Sequence, residues 1–407
     1  MAHIKPFCAV RPNANIASEF SSLSAQFYSN EELDKLLKKN PFSFVQILKS
    51  SLIKLEDKSL EERYKSVKKN YENFKNEGLL IKDSNPAFYI YEIDEHENNY
   101  CGIIAAASVE DYKNNVIKKH ENTIESREKT FKNYLKTTGF NAEPVLLTYK
   151  NSNTISSFID ELKNSNPTVE FLTKTKEKHR LWKIENNKKL EKIQSLFEKI
   201  PSLYIADGHH RSASSVLLSE ENKDLKNNTN ASDYFMAFLI PENELKIQEY
   251  NRVVTDLNGY SNKKFLDALK KHFNISPQDN GKTSHKKLSF SMYLKGQFYC
   301  VSLQNSTLIE NSPLYQLDTY ILQELILKPI LGITDVRNNI RLDYSYENDD
   351  MQWIKKNIDN NNYAVGFGLQ PIKIEQLKSI ADAQLVMPPK STYIFPKLRS
   401  GITIYEI

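Results

Sequence analysis

The 407 residues carry 55 Lys and Arg against 51 Asp and Glu, a net charge of +4, so neither a nucleic acid nor an anionic membrane surface is expected as partner. Hydrophobic residues make up 40% and aromatics 11%, enough for a folded core, and no window approaches the roughly 18 consecutive apolar residues of a membrane span. The start, MAHIKPFCAVRP, lacks the ~7–15-residue apolar core of a signal peptide, and Cys8, Cys101 and Cys300 have no disulfide-framework or zinc spacing, so a soluble cytoplasmic protein is expected.

Along the chain, IKPFCAV reads as a short strand that turns at RPN. Asn30 is placed to cap a helix running to Asn40-Pro41. Residues 59–80 space Leu60, Tyr64, Val67, Tyr71 and Phe74 as an amphipathic helix does, and Gly78 suits its end. PAFYIYEI and CGIIAAASV form a strand pair with a polar turn. A helix is expected over 125–137, and EPVLLTY reads as a buried strand. Segments 151–170 and 220–232 read as polar loops or insertions, with a strand at HRLWKI between them. The strand LYIA, the strand YFMAFLIP, a helix over 261–273 and a hairpin turning at Lys295-Gly296 follow. YQLDTYILQELILKPILGI mixes a helix with a Pro-containing exit, and YAVGFGLQ and 402–407 close the chain as strands.

Strands and helices therefore alternate irregularly, which predicts an α/β (α+β) fold with a mixed sheet. At ~100–200 residues per domain the length suggests two or three parts. They are expected at 1–150 (N-terminal α/β), 151–260 (carrying the motif described next) and 261–407 (C-terminal α/β), one compact α/β domain with insertions being the alternative.

The stretch LYIADGHHRSASSVLL places Asp207, Gly208, His209, His210 and Arg211 between an apolar strand and a helix. A helix start offers free N–H groups and positive potential, and Gly lets the backbone turn or a ligand approach. Arg211 supplies a planar fork for phosphate. His209 and His210 can donate to phosphate or shuttle a proton, and Asp207 can hold Mg2+, orient a histidine or accept a proton. Ser212 adds a hydroxyl in the first turn. The competing reading is a capping Asp207 and a core histidine. Four polar groups are costly to bury without partners, so the phosphate reading is preferred for the set. A His-His zinc site lacks a clear third ligand.

IADGHHRSASS resembles the signature of the ParB/sulfiredoxin-like fold. That superfamily includes segregation CTPases, sulfiredoxin and a nucleotide-dependent free-serine kinase. IKPFCAVRP, NPFSFVQIL, EDYKNNVIKKHENT, GFNAEPVLLTY, PILGITDVRNNIRLDY and MPPKSTYIFPKLRSG together resemble the bacterial domain-of-unknown-function family 1015 over nearly the whole chain. The resemblance implies a ParB/sulfiredoxin-like core with large insertions. It also implies a nucleotide such as ATP or ADP at the helix start, with Mg2+ as a companion. Where such proteins carry Pro-Tyr-Asp or Tyr-Glu after the RP segment, this chain reads SSLSAQFYS, with Gln26 near the expected acid.

In KKHENTIESREKT, His120 and Glu121 pair acid/base groups beside two lysines. A Thr123 cap on a solvated helix is the alternative, and the resemblance favours function. MPPKSTYIFPKLRSG offers Lys390, Ser391 and Thr392 and then Lys397, Arg399 and Ser400 as an anion clamp on a stiffened loop. Arg337, Arg341 and Asp343 read as an internal Arg–Asp pair, Glu143 as either a candidate carboxylate or an ordinary strand-edge acid, and a place for Arg180 near a ligand is the less favoured of its readings. No P-loop and no GxGxxG is present.

The expected function is phosphoryl transfer on a small hydroxy amino acid or its phosphate, either serine kinase-like or phosphoserine dephosphorylation. The catalytic candidates are Asp207, His209, His210, His120 and Glu121. The phosphate- or nucleotide-binding candidates are Gly208, Arg211, Ser212, Lys390, Ser391, Thr392, Lys397, Arg399 and Ser400. The rivals are a nucleotide-binding ParB-like switch and a non-catalytic ligand-binding protein.

Overall fold

The computed structural model describes residues 1–52, 58–95, 97–224, 231–282, 288–304, 312–346, 349 and 351–407. Part of the expected 220–232 loop lies outside them. The chain divides into one unit of Met1–Leu245 with Pro396–Ile407 and a second of Lys246–Phe395. No break falls near residue 150, because strands on either side of it pair in one sheet, so the three-part reading gives way to an insertion.

In the first unit nine strands form one mixed sheet: β1 (Ile4–Lys5), β2 (Phe88–Glu95), β3 (Asn98–Ser108), β4 (Ile117–Lys118), β5 (Val145–Tyr149), β6 (Val169–Leu172), β7 (Lys178–Ile184), β8 (Leu203–Asp207) and β9 (Tyr234–Pro241). Their order is β4-β8-β5-β9-β3-β2-β7-β6, with β1 on β3. The β8–β4 and β9–β5 pairs are parallel and the others antiparallel. The central strands are apolar on both faces, as a sheet covered on both sides requires. At Gly102 in β3 a Cβ would meet the Leu239 carbonyl at 2.3 Å, so only glycine lets β9 approach there.

Helices α1 (Phe44–Leu52) and α2 (Leu60–Asn76) bury Phe44, Ile47, Val67 and Tyr71 in a cluster with Val10, Phe20, Phe140 and Ile404. α2 starts with a Ser59/Glu62 capping box, and Gly78 follows its end at φ +71°. α3 (Glu125–Thr138) ends at Gly139 in the left-handed region, and α4 (Asn153–Leu162) and α5 (Asn187–Phe197) pack on the main core. α6 (His209–Asp224) leaves β8 and lies against α3. The tail returns as Tyr405–Glu406, paired with Phe140–Asn141.

The second unit holds an antiparallel sheet of Phe273–Gln278, Gln297–Leu303, Ser289–Leu294, Val365–Gly368, Asn251–Val254 and Leu342–Ser345, in that order. Its hairpin turns at Lys295-Gly296, both with positive φ, as the tight twisted turn demands.

Three local expectations change. Ser29 rather than Asn30 caps the Asn30–Lys39 helix, because Ser29 forms a capping box with Glu32. The 151–170 segment is largely α4, started by a Ser152 cap. Arg341 pairs with Asp256 through two contacts of 2.6 and 2.7 Å, while Asp343 accepts from Tyr363. No helix among the described residues is long and apolar enough to cross a membrane.

Candidate active site

β8 carries Leu203 to Ala206 buried and lets Asp207 emerge half-exposed at its end. A β-bulge against β5 accompanies the exit, and Gly208 follows at φ +102°, a conformation that an L side chain rarely adopts. The first helical bond of α6 runs from Ser212 N–H to Gly208 carbonyl at 3.0 Å. The N–H groups of the preceding turn have no intrahelical acceptor and carry the positive end of a 16-residue helix.

Arg211 folds back over Gly208, where a Cβ would stand 3.0 Å from its guanidinium. Its Nη2 donates to Asp207 at 2.5 Å. Its Nη1 donates to the Pro144 carbonyl at 2.8 Å and lies 2.7 Å from Glu143. One arginine thus joins the end of β8 to the start of β5. Lys397 sits in the same cluster. Burial lowers its pKa, while the charges of Asp207 and Glu143 oppose that shift and Arg211 adds to it. Its ammonium stands 5.7 Å from the centre of the Phe27 ring.

The two motif histidines have a shared structural task. His209 Nε2 accepts from the His120 N–H at 3.5 Å, and His210 Nε2 accepts from the Ile124 N–H at 3.1 Å. They hold the 120–124 segment against the helix start. The His120 and His209 rings meet edge to face with centres 4.5 Å apart, and Glu121 reaches within 3.7 Å of His209 Nδ1. His209 and His120 are both buried, so water cannot stabilise their charged forms. Burial and the neighbouring cations hold His209 well below the ordinary range, and burial brings His120 down to about 4 against the pull of Asp207. Both are neutral at pH 7. His120 Nδ1 is buried with no hydrogen-bond partner. The Ser212 hydroxyl donates to the His209 carbonyl at 3.0 Å and closes the first turn of α6.

The proposed clamp divides at Phe395/Pro396. Lys390, Ser391 and Thr392 belong to the second unit. There the Lys390 ammonium lies 4.4 Å from the Tyr344 ring centre, and the Ser391 hydroxyl donates to the Pro388 carbonyl at 2.6 Å. Of the tail residues, Lys397 joins the Asp207 cluster. Arg399 donates to the Ser21 carbonyl at 2.9 Å and lies 3.3 Å from Glu177. Ser400 bridges to Ser22 and lines a cavity together with Arg211 and Glu143. Arg180 is tied to Glu92 and Glu170, an ion-pair network. Thr123 donates to Glu128, while the N-cap position of α3 is Ile124. Gln26 is exposed in the short turn Ala25–Phe27, whose Ala25 also lines the cavity.

That cavity, about 270 Å³, was not legible in the sequence. It is walled by α1, α2 and α3 together with the Ala25 turn, Asn141 to Glu143, Arg211 and Ser400. One observation marks it: Phe131, one turn before the buried Leu135 on the same face of α3, remains 43% exposed.

The profile of the family described as "Protein of unknown function (DUF1015)" matches residues 4–320. None of the curated proteins matches this chain. Among solved structures, a free serine kinase in complex with AMP is similar at 13% identity and a TM-score of 0.36, over 76% of this chain and 95% of that one. SbnI with C-terminal truncation from Staphylococcus aureus is similar at 10% identity and 0.38, over 74% and 87%. A conserved hypothetical protein from Pyrococcus furiosus is similar at 12% identity and 0.34, over 72% and 90%.

Proposed function

The chain belongs to the DUF1015 family, and from the groups at its strand-to-helix turn we propose a phosphoryl-transfer enzyme acting on a small hydroxy amino acid or its phosphate. The observation that carries the reading is His120. It is a buried, neutral imidazole with an unpartnered Nδ1, held beside a helix start that also gathers Asp207, Arg211, Glu143 and Lys397. A neutral imidazole next to an anion site is a proton acceptor for a hydroxyl attacking phosphorus.

In the forward direction the substrate oxygen forms a bond to phosphorus and the bond to the leaving phosphate or nucleotide breaks. The hydroxyl proton passes to His120 Nδ1. Phosphate oxygens take the first-turn N–H groups of α6 and the charge of Lys397. Their negative charge raises the His120 pKa toward neutrality, where a general base works best. His209, His210 and Glu121 are positioning residues in this scheme, because they hold the backbone that carries His120. The hydroxy amino acid rests on the resemblance of IADGHHRSASS to the motif of free-serine kinases.

Among the described residues no group of three or more His, Cys, Asp or Glu forms a metal cage. Mg2+ takes one or two carboxylates plus phosphate oxygens, and Asp207 fits the protein's share of such a set. Bound there, the ion would neutralise phosphate charge.

One observation favours a second reading, a ligand-binding protein without turnover: Arg211 is already committed to Asp207, Glu143 and Pro144. The experiment is phosphate transfer from ATP, ADP or pyrophosphate to serine, and phosphate release from phosphoserine, by wild type, Arg211→Ala and His120→Phe. Turnover lost in both variants supports the enzyme. Phosphate-ligand binding without turnover by wild type overturns it in favour of the second reading.

A further inference from the structure

The cavity beside Arg211 has a chemistry distinct from that of the motif. Phe44 of α1, Tyr64 of α2, and Phe131 and Tyr134 of α3 put aromatic surface into one space of about 270 Å³. The Tyr64 and Tyr134 rings stand perpendicular with centres 5.2 Å apart, so one face and one edge are presented together. Phe131 remains 43% exposed, an apolar surface that the described residues leave partly uncovered. Polar groups also line it: Ser24, Ser51, Thr130, Asn141 and Ser400, together with Glu143 and Arg211. Arg211 is common to the cavity and to the helix start, so the two spaces meet at its guanidinium.

We propose that this cavity takes the ring of a nucleotide, whose phosphates then extend past Arg211 to the first turn of α6. The proposal rests on the phosphoryl-transfer reading and deepens it by naming the donor class and the residues that select it. The size is near the low end of ligand pockets, roughly 300–1,000 Å³, which suits a base with its sugar. Four aromatic side chains provide stacking surface that accepts any base. The Thr130 hydroxyl, which donates to the Ser126 carbonyl, can still accept, and the Asn141 amide, whose Oδ1 accepts from the Glu143 N–H, can still donate, so a heterocycle can use both. Glu143 places a carboxylate at the junction, where a sugar hydroxyl can donate to it.

The test compares ADP with pyrophosphate, which has the phosphates and no ring, by titration calorimetry. Phe131→Ala removes a half-exposed ring, which the fold tolerates, and Ala25→Leu fills the cavity from its rim. Both variants are expected to weaken ADP about tenfold or more while leaving pyrophosphate within twofold. Arg211→Ala is expected to weaken both. If ADP binds the two cavity variants as it binds wild type, the ring lies elsewhere and this inference fails, while the phosphoryl-transfer reading stands. If pyrophosphate binds wild type and ADP does not, the inference fails in the same way. If neither binds, the inference and the kinase direction of the proposed function both fall, and phosphate release from phosphoserine alone decides the other direction.

Discussion

Replacing His120 with Phe should trade activity for acid stability. The imidazole is 2% exposed, its Nδ1 meets no partner, and burial brings its pKa to about 4 from an ordinary 6.5. Unfolding returns the ring to water, where it binds a proton below about pH 6.5, while the folded protein holds it neutral down to about pH 4. The unfolded state therefore binds more protons in that window, and stability falls as pH falls through it. The penalty from this one group is small at pH 7, about 2 kcal/mol at pH 5 and about 3 kcal/mol once both states are protonated. Phe keeps the ring packed edge to face on His209 and removes both the titration and the unpartnered nitrogen. The backbone N–H that His209 accepts is untouched. Urea midpoints at pH 5 and pH 7 should show the variant gaining about 2 kcal/mol at the lower pH relative to wild type, with phosphate transfer lost at both. An equal wild-type-to-variant difference at the two pH values would refute the claim of a buried neutral imidazole. Retained turnover would remove His120 from the chemistry.

Three further outcomes follow from the same geometry. Lys397→Met should weaken phosphate binding about tenfold, as a charge-assisted contact is worth roughly 1.5–3 kcal/mol, and should flatten the salt dependence of that binding in a titration at two ionic strengths. Gly208→Ala and Gly139→Ala both force an L residue to positive φ at a cost of about 1–3 kcal/mol, but only at Gly208 does the new Cβ meet Arg211. Gly208→Ala should therefore lose phosphate affinity as well as stability in paired denaturation and binding assays, and Gly139→Ala stability alone. Arg341→Ala breaks the exposed pair with Asp256 and should cost at most about 1 kcal/mol in denaturation, leaving turnover unchanged.

The sequence disclosed elements whose signal is local. LYIA had to be a buried strand, and Lys295-Gly296 had to be a tight turn, because composition over a few residues decides both. The motif's polar groups were legible as a set, but not their division of labour. That two imidazoles would accept backbone N–H groups from residues 120 and 124 depends on a contact some 86 to 89 residues away in the chain. The same holds for Arg211, whose partner Glu143 is read from sequence only as a candidate carboxylate, with no indication of what it meets. The PPKST…KLRSG stretch looked like one loop, since nothing in its composition marks Phe395/Pro396 as the point where one unit ends and another resumes. The aromatic cavity was hidden for a different reason: Phe44, Tyr64 and Tyr134 satisfy the ordinary pattern of core-facing helix residues, and a wall of a cavity has the same pattern as a wall of a core.

The resumption at Pro396 has a consequence for biosynthesis. The first unit keeps Lys397, Ser400 and the strand that pairs with Phe140–Asn141 until the final dozen residues, behind the 150 residues of Lys246–Phe395. At about 5–20 residues per second a ribosome needs roughly 8–30 seconds to make that insertion. Through this interval the nascent first unit has its sheet but lacks its last cation and one wall of its cavity. A chain cut short anywhere before Lys397 would then be an assembled scaffold without a complete anion site, so that competence waits on the stretch that follows the insertion.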